Sequence, residues 1–272
     1  MSVIITKYYH LTLLTLIALC MFSCTKQTAE QESELSLQLS CEQSFLSSKA
    51  TKGSIAEDCR LHYFVFAEGE STPLIISGQT EFNPAGTNNL KLRLFKDKAY
   101  EIAFWACGSS APYLFDSGIV SLPDASGTAS TPAALSANDP GLDAFYAKVS
   151  ITGGQGSLSV SLKRAVAKVS VSLSTALPGA ASSSLSFDSA YRSFSLLDGE
   201  VSCLQPLAFG SASCPDTRNV AYAYIFAPQD QAHSCTMALK VFGSSATTPL
   251  LSTTLNNIPV QRNIQTKITY NN

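Results

Sequence analysis

Gly156-Ser-Leu-Ser-Val-Ser-Leu-Lys-Arg-Ala-Val-Ala-Lys-Val-Ser-Val-Ser-Leu173 alternates apolar and polar residues with the period of two that marks a half-buried strand. The alternation changes parity on the way. Leu158, Val160 and Leu162 are even-numbered, whereas Val169, Val171 and Leu173 are odd. Successive side chains on a strand point to opposite faces, so one flat strand cannot bury both sets on one side. Either a β-bulge inserts a residue near Lys163 to Lys168, or the chain leaves one sandwich and enters another, using opposite faces for the two cores. The crossing is the simpler device, and it predicts a domain boundary within residues 154–168.

Working outward, strand signals recur along the whole chain, and no long window keeps a capped 3.6-residue period. Leu61 to Phe66 is dense in aromatic and β-branched residues. Leu74 to Phe82 follows, and Leu90, Leu92 and Leu94 then alternate with Lys91 and Arg93. Tyr100 to Trp105 is apolar on both faces, which places Trp105 in the core. Ser121 to Pro140 reads as an irregular excursion rich in Gly, Ser, Pro and Ala. Leu185 to Leu197 reads as a strand or hairpin, Val220 to Phe226 as a central strand, and Ser234 to Val241 as a strand buried on one side with Leu250 to Leu255 beside it. The last segment, Asn263 to Tyr270, places Ile264, Thr266, Ile268 and Tyr270 on one face. The expectation is an all-β chain of two tandem antiparallel sandwiches, residues 59–155 and 156–272.

The N-terminus carries Lys7 and an apolar run from Leu11 to Phe22, which is too short to span a bilayer and has the form of a signal peptide, residues 1–23. Met21-Phe-Ser-Cys24 resembles a lipobox, so Cys24 is the expected lipidation site. Residues 24–58 begin polar and acidic and read as a disordered tether that holds the folded part off an outer membrane, with the cell surface as its location. Removing residues 1–23 takes away Lys7 and no acid, which moves the formal charge from −2 to about −3. No basic patch remains, and nucleic acid is not an expected partner.

Catalysis finds no support. His10, His62 and His233 are far apart in sequence, and no G-x-S-x-G, H-E-x-x-H or phosphate-binding glycine loop occurs. No cofactor is expected. Cysteine spacing gives no zinc signature, and Asn138, Asp139 and Asp143 suit an acidic turn better than a calcium site. Cys203 and Cys214 flank a Gly-containing segment read as a loop and are a candidate disulfide, while Cys107 and Cys235 sit in apolar strand patterns. Tyr113 and Phe115 are candidate stacking platforms for a sugar, the alternative function being glycan binding at the outer surface.

Several segments occur in the order found in fimbrillins, the type V pilus subunits of Bacteroidales. Tyr100-Glu-Ile-Ala-Phe-Trp-Ala106, Asp143-Ala-Phe-Tyr146, Leu162-Lys-Arg-Ala-Val-Ala-Lys-Val169, Tyr222-Ala-Tyr-Ile-Phe-Ala-Pro228 and Ile258-Pro-Val-Gln-Arg-Asn263 each resemble a fimbrillin motif. The nearest resemblance is to a fimbrillin-like domain of unknown function. It implies two transthyretin-like (immunoglobulin-like) sandwiches and assembly with other fimbrial subunits by β-strand addition, with adhesion to host or bacterial surface glycans or proteins. It also implies processing by an arginine-specific protease, for which Arg60 is the first arginine after Cys24, and donation of the strand from Asn263 to Tyr270. Asp188-Ser-Ala190 matches the short O-glycosylation pattern of that phylum, with Ser189 as acceptor.

Overall fold

A computed structural model describes residues 31–42, 58–123, 135–245 and 247–272. Cys24 lies outside them, as does most of the Ser121–Pro140 excursion. Among the described residues sixteen strands run in chain order. The first nine are β1 (Glu32–Cys41), β2 (Cys59–Ala67), β3 (Gly78–Phe82), β4 (Asn88–Phe95), β5 (Ala99–Gly108), β6 (Leu114–Asp116), β7 (Ile119–Ser121), β8 (Phe145–Thr152) and β9 (Ser157–Arg164). The remainder are β10 (Val166–Leu173), β11 (Ser182–Ser195), β12 (Val201–Ser213), β13 (Asn219–Phe226), β14 (His233–Phe242), β15 (Leu251–Val260) and β16 (Gln265–Tyr270).

The first sandwich packs the layer β4-β1-β9 on the layer β3-β2-β5-β8, and the layers join at one corner through Phe145–Arg164 and Tyr146–Lys163 pairing of β8 with β9. Its core holds Leu35, Leu37 and Leu39 of β1 against Leu61, Val65, Ile102 and Phe104. The second sandwich packs β15-β14-β11-β12 on β13-β10-β16, with the short β6–β7 hairpin continuing the first layer beside the far half of β11. A single pair, Tyr191 with Phe226, bridges its layers.

The parity change is the crossing. Val160, Leu162 and Arg164 of β9 point into the first core, and after Ala165 alone the chain continues as β10 with Val169, Val171 and Leu173 in the second. β5 serves both. Tyr100, Ile102, Phe104 and Ala106 enter the first core, whereas Ala103, Trp105 and Cys107 face the second. The two sandwiches therefore share a wall instead of a linker.

Four expectations need correction. Residues 32–41, assigned to a solvated tether, form β1, because Leu35, Leu37 and Leu39 alternate and fill the first core. Residues 157–164, assigned to the C-terminal unit, pair with β1 and β8 in the first sandwich, and residues 114–121, assigned to the N-terminal one, pair with β11. The sandwiches are not purely antiparallel: β1 runs parallel to β9, and β16 parallel to β10. The stretch between Cys203 and Cys214 is not a loop but most of β12. At about 3.3 Å per residue the two cysteines lie roughly 30 Å or more apart, far beyond the ~7 Å between Cα atoms that a disulfide tolerates.

One glycine shows how tightly the first sandwich closes. A Cβ on Gly153, in the turn between β8 and β9, would sit 1.8 Å from the carbonyl oxygen of Phe95. Backbone cannot yield as a side chain can. Gly153→Ala is expected to cost about 2–3 kcal/mol in urea unfolding, and a loss under 0.5 kcal/mol would mean that this turn is looser than its packing.

Candidate functional site

β1 fills a slot. It pairs antiparallel with β4 from Glu32–Phe95 to Leu39–Asn88, and parallel with β9 from Ser36–Ser157 to Cys41–Leu162. Without it neither β4 nor β9 has a partner on that side, and the core opens between Leu92 and Leu94 on one flank and Val160 and Leu162 on the other. Each of the three leucines that close the opening is worth about 1.5–3 kcal/mol of burial. The outer face is polar, with Ser36, Gln38, Lys91, Ser157 and Ser159 around a shallow depression. The Lys91–Glu34 ion pair there, at 2.7 Å, is largely exposed and screened by solvent, so it does little to hold β1 in place. The arrangement can accept any strand that offers apolar residues at alternate positions and a free backbone.

β16 closes the other sandwich's sheet path at its far end. Among the described residues it pairs only with β10, from Lys168–Gln265 to Leu173–Tyr270. Ile268 and Tyr270 are half-buried against the second core. Asn263 turns the chain into the strand with φ 58°, and its amide donates to the Val166 carbonyl at 3.0 Å. The Ile264 carbonyl accepts from the Lys168 amide, and the Thr266 hydroxyl donates to the Pro259 carbonyl.

Arg60 is placed differently from a processing site. Its side chain is exposed, but its backbone is paired across β2 with Glu81 on one side and Cys107 on the other. Proteases bind substrates as extended strands, and the groups they would use at Arg60 are already engaged. Cleavage after Arg60 requires β2 to leave its sheet.

Ser189 sits where β11 bulges between Phe187 and Ala190, with its hydroxyl 3.2 Å from Asp188 and 3.3 Å from Nε2 of His233. That Ser–His contact has no signature along the chain, because only the bulge and the β11–β14 pairing create it. It is not a catalytic relay. Asp188 accepts from the Thr236 amide, which with the Ser189 hydroxyl holds its carboxyl below the usual range, and it does not orient the imidazole. His62, in the other sandwich, stacks on Phe115 at 4.1 Å, and burial lowers its pKa to about 4.

Tyr113 is no sugar platform: it is 7% exposed, its hydroxyl donates to the Leu142 carbonyl at 2.6 Å, and its ring meets the edge of Trp105. Asn138, Asp139 and Asp143 are all engaged internally. Asn138 bonds to Ser183, the Ser213 carbonyl and the Tyr222 amide, Asp139 caps Gly141, and Asp143 binds Arg164. Among the described residues no group of three His, Cys, Asp or Glu side chains could hold a metal ion, and no helix is long and apolar enough to cross a membrane.

A family model described as a family of unknown function, DUF6562, matches residues 25–271. No curated protein matches the chain. Among solved structures, the chain is similar to a fimbrial assembly protein from Parabacteroides distasonis, with 14% identity and a TM-score of 0.45 over 88% of this chain and 91% of that one. It is also similar to the fimbrial anchor protein Mfa2 from Porphyromonas gingivalis, with 13% identity and a TM-score of 0.44 over 81% of this chain and 82% of that one.

Proposed function

This chain belongs to the DUF6562 family of unknown function, and from that premise we propose that it is a non-catalytic cell-surface subunit that joins other chains by strand addition. The observation that carries the reading is β1: an N-terminal segment is inserted as the middle strand of its layer and supplies three leucines to the core. A slot closed by such a segment is reopened whenever the segment is withdrawn. The strand suited to refill it is β16 of another copy or subunit, since it sits at a sheet end and, with Ile264 just before it, alternates Thr266, Ile268 and Tyr270 along one face. Lipidation at Cys24 tethers the assembly to the outer membrane, with residues 25–31 between the lipid and β1. A chain that keeps β1 acts as an anchor or accessory component; one that loses it extends a fibre.

The test is to cut the protein at a protease site introduced between Glu42 and Asp58, under reducing conditions. Ladders that resist SDS on unboiled gels are expected, and deletion of residues 263–272 should abolish them. A cut chain that stays monomeric, or ladders indifferent to that deletion, would overturn the reading.

A further inference from the structure

The cysteines of the described residues are sorted by the two cores. On β1 the inward positions are Leu35, Leu37 and Leu39, and Cys41 continues that face, partly buried against the first core. Its backbone is fixed there by the parallel pair with Leu162 and by the Glu42 amide donating to the Leu162 carbonyl at 2.9 Å. On the opposite layer, Cys59 opens β2 as a buried member of the same core. Both thiols lie toward the end where β8 and β9 pair and the layers converge, and both feel the charge of Asp143 there.

The others point elsewhere. Cys107 pairs across from Arg60, so it lies on the face of the sheet opposite Cys59, in the second core. Cys235 belongs to the second core, with its thiol 3.7 Å from the Ile258 carbonyl. Cys203 and Cys214 stand near opposite ends of β12. Cys41 and Cys59 are therefore the two cysteines, among the described residues, that face the first core, one from each of its layers, and the Cys41 thiol feels the charge of Cys59.

We propose that Cys41 and Cys59 form a disulfide that fastens β1 to the body of the first sandwich. The proposal rests on the strand-addition reading for its consequence and on side-chain placement for its chemistry. The thiolate of Cys41 attacks an external disulfide, such as oxidised glutathione or an oxidoreductase, and releases one thiolate. Cys59 then attacks the Cys41 sulfur of the mixed disulfide and releases the second. The two protein thiols lose two protons and two electrons, and the external disulfide is reduced to two thiols.

Burial, followed by the charge of Cys59, pushes the Cys41 thiol up to about 12, and burial pushes Cys59 up to about 11. Thiolates are the attacking species, so exchange is slow once β1 is seated, and the bond forms as the strand docks. Once formed it closes residues 42–58 into a loop, and a cut within that loop leaves β1 attached. Release of the slot then needs both a protease and a reductant.

The test uses the chain from Thr25 onward, refolded with oxidised and reduced glutathione, digested without reduction and mapped by mass spectrometry. Peptides containing Cys41 and Cys59 should emerge joined, and they should separate on reduction with a phosphine. Recovery of both as alkylated thiols, or either one bonded to another cysteine, overturns the proposal. After a cut at a protease site introduced between Glu42 and Asp58, a fluorescent peptide of residues 31–42 carrying Cys41→Ser should enter the reduced protein at least tenfold faster than the oxidised one. Equal entry overturns the lock. Entry into neither form overturns the strand-addition reading while a mapped bond still stands.

Discussion

Arg164→Met is expected to lower the unfolding free energy by about 3–5 kcal/mol at pH 7, because it leaves a buried carboxylate without its cation. Arg164 ends β9 and Asp143 precedes β8, so their pair spans the joint where one sandwich passes into the other. Nε donates to Oδ1 at 2.6 Å and Nη2 to Oδ2 at 3.0 Å, both side chains are fully buried, and the guanidinium lies 4.8 Å from the Phe145 ring centroid. Burial raises the Asp143 pKa, against the opposing pull of Arg164 and a lesser one from Lys168. Removing Arg164 lets desolvation act with less opposition. The folded carboxyl then titrates further above the unfolded value of about 3.9, and between the two values the folded protein holds a proton that the unfolded chain does not.

The sign follows. A carboxyl whose folded pKa is raised favours folding as pH falls from the folded value toward the unfolded one, so the Arg164→Met deficit should be largest at pH 7 and shrink toward pH 4–5. Replacing both partners by apolar residues of similar volume should recover most of the loss. Guanidinium unfolding at pH 7 and pH 5 measures all of this. A deficit under 1 kcal/mol, or one that grows as pH falls, would show that the pair is not the buried pin its geometry describes.

Trp105→Ala should cost a comparable ~3–5 kcal/mol and, unlike the loss at Arg164, should change the shape of the transition. Trp105 belongs to β5 of the first sandwich, but its ring is fully buried in the second core, 5.1 Å from Phe194 and 5.9 Å from Phe226 in edge-on contacts. The shared wall is built on this side chain. The intact protein should melt in one calorimetric transition because neither sandwich can expose that wall alone. The variant should show two transitions, or a van't Hoff enthalpy well below the calorimetric one. Trp105 is the chain's one tryptophan, so its fluorescence follows the wild type and circular dichroism must follow the variant. A single transition with matched enthalpies in the variant would mean that the remaining contacts couple the sandwiches without it.

Much of this architecture is legible in the chain. The parity change between Leu162 and Val169 announces the crossing, since alternation is enforced by the backbone wherever a strand forms. Double-sided apolarity around Trp105 and Val220 to Phe226 announces strands with no solvent face. Leu35, Leu37 and Leu39 carried the same signal at lower volume, and the surrounding Ser, Gln and Glu hid it. Those polar residues face solvent, so a strand buried on one side resembles a tether in composition while differing from it in period.

The amino-acid sequence by itself determined which segments become strands and which of their faces turn inward, because both are consequences of local backbone geometry and side-chain polarity. Only the tertiary structure decided which strands pair: that β1 lies parallel to β9 in a slot, that β16 ends its sheet, that Ser189 meets His233, and that Cys203 and Cys214 are held apart while Cys41 and Cys59 enter one core. Edge pairing uses backbone groups that every residue but proline carries, so it leaves no local signature. Its outcome is set by how the whole set of apolar faces closes around two cores.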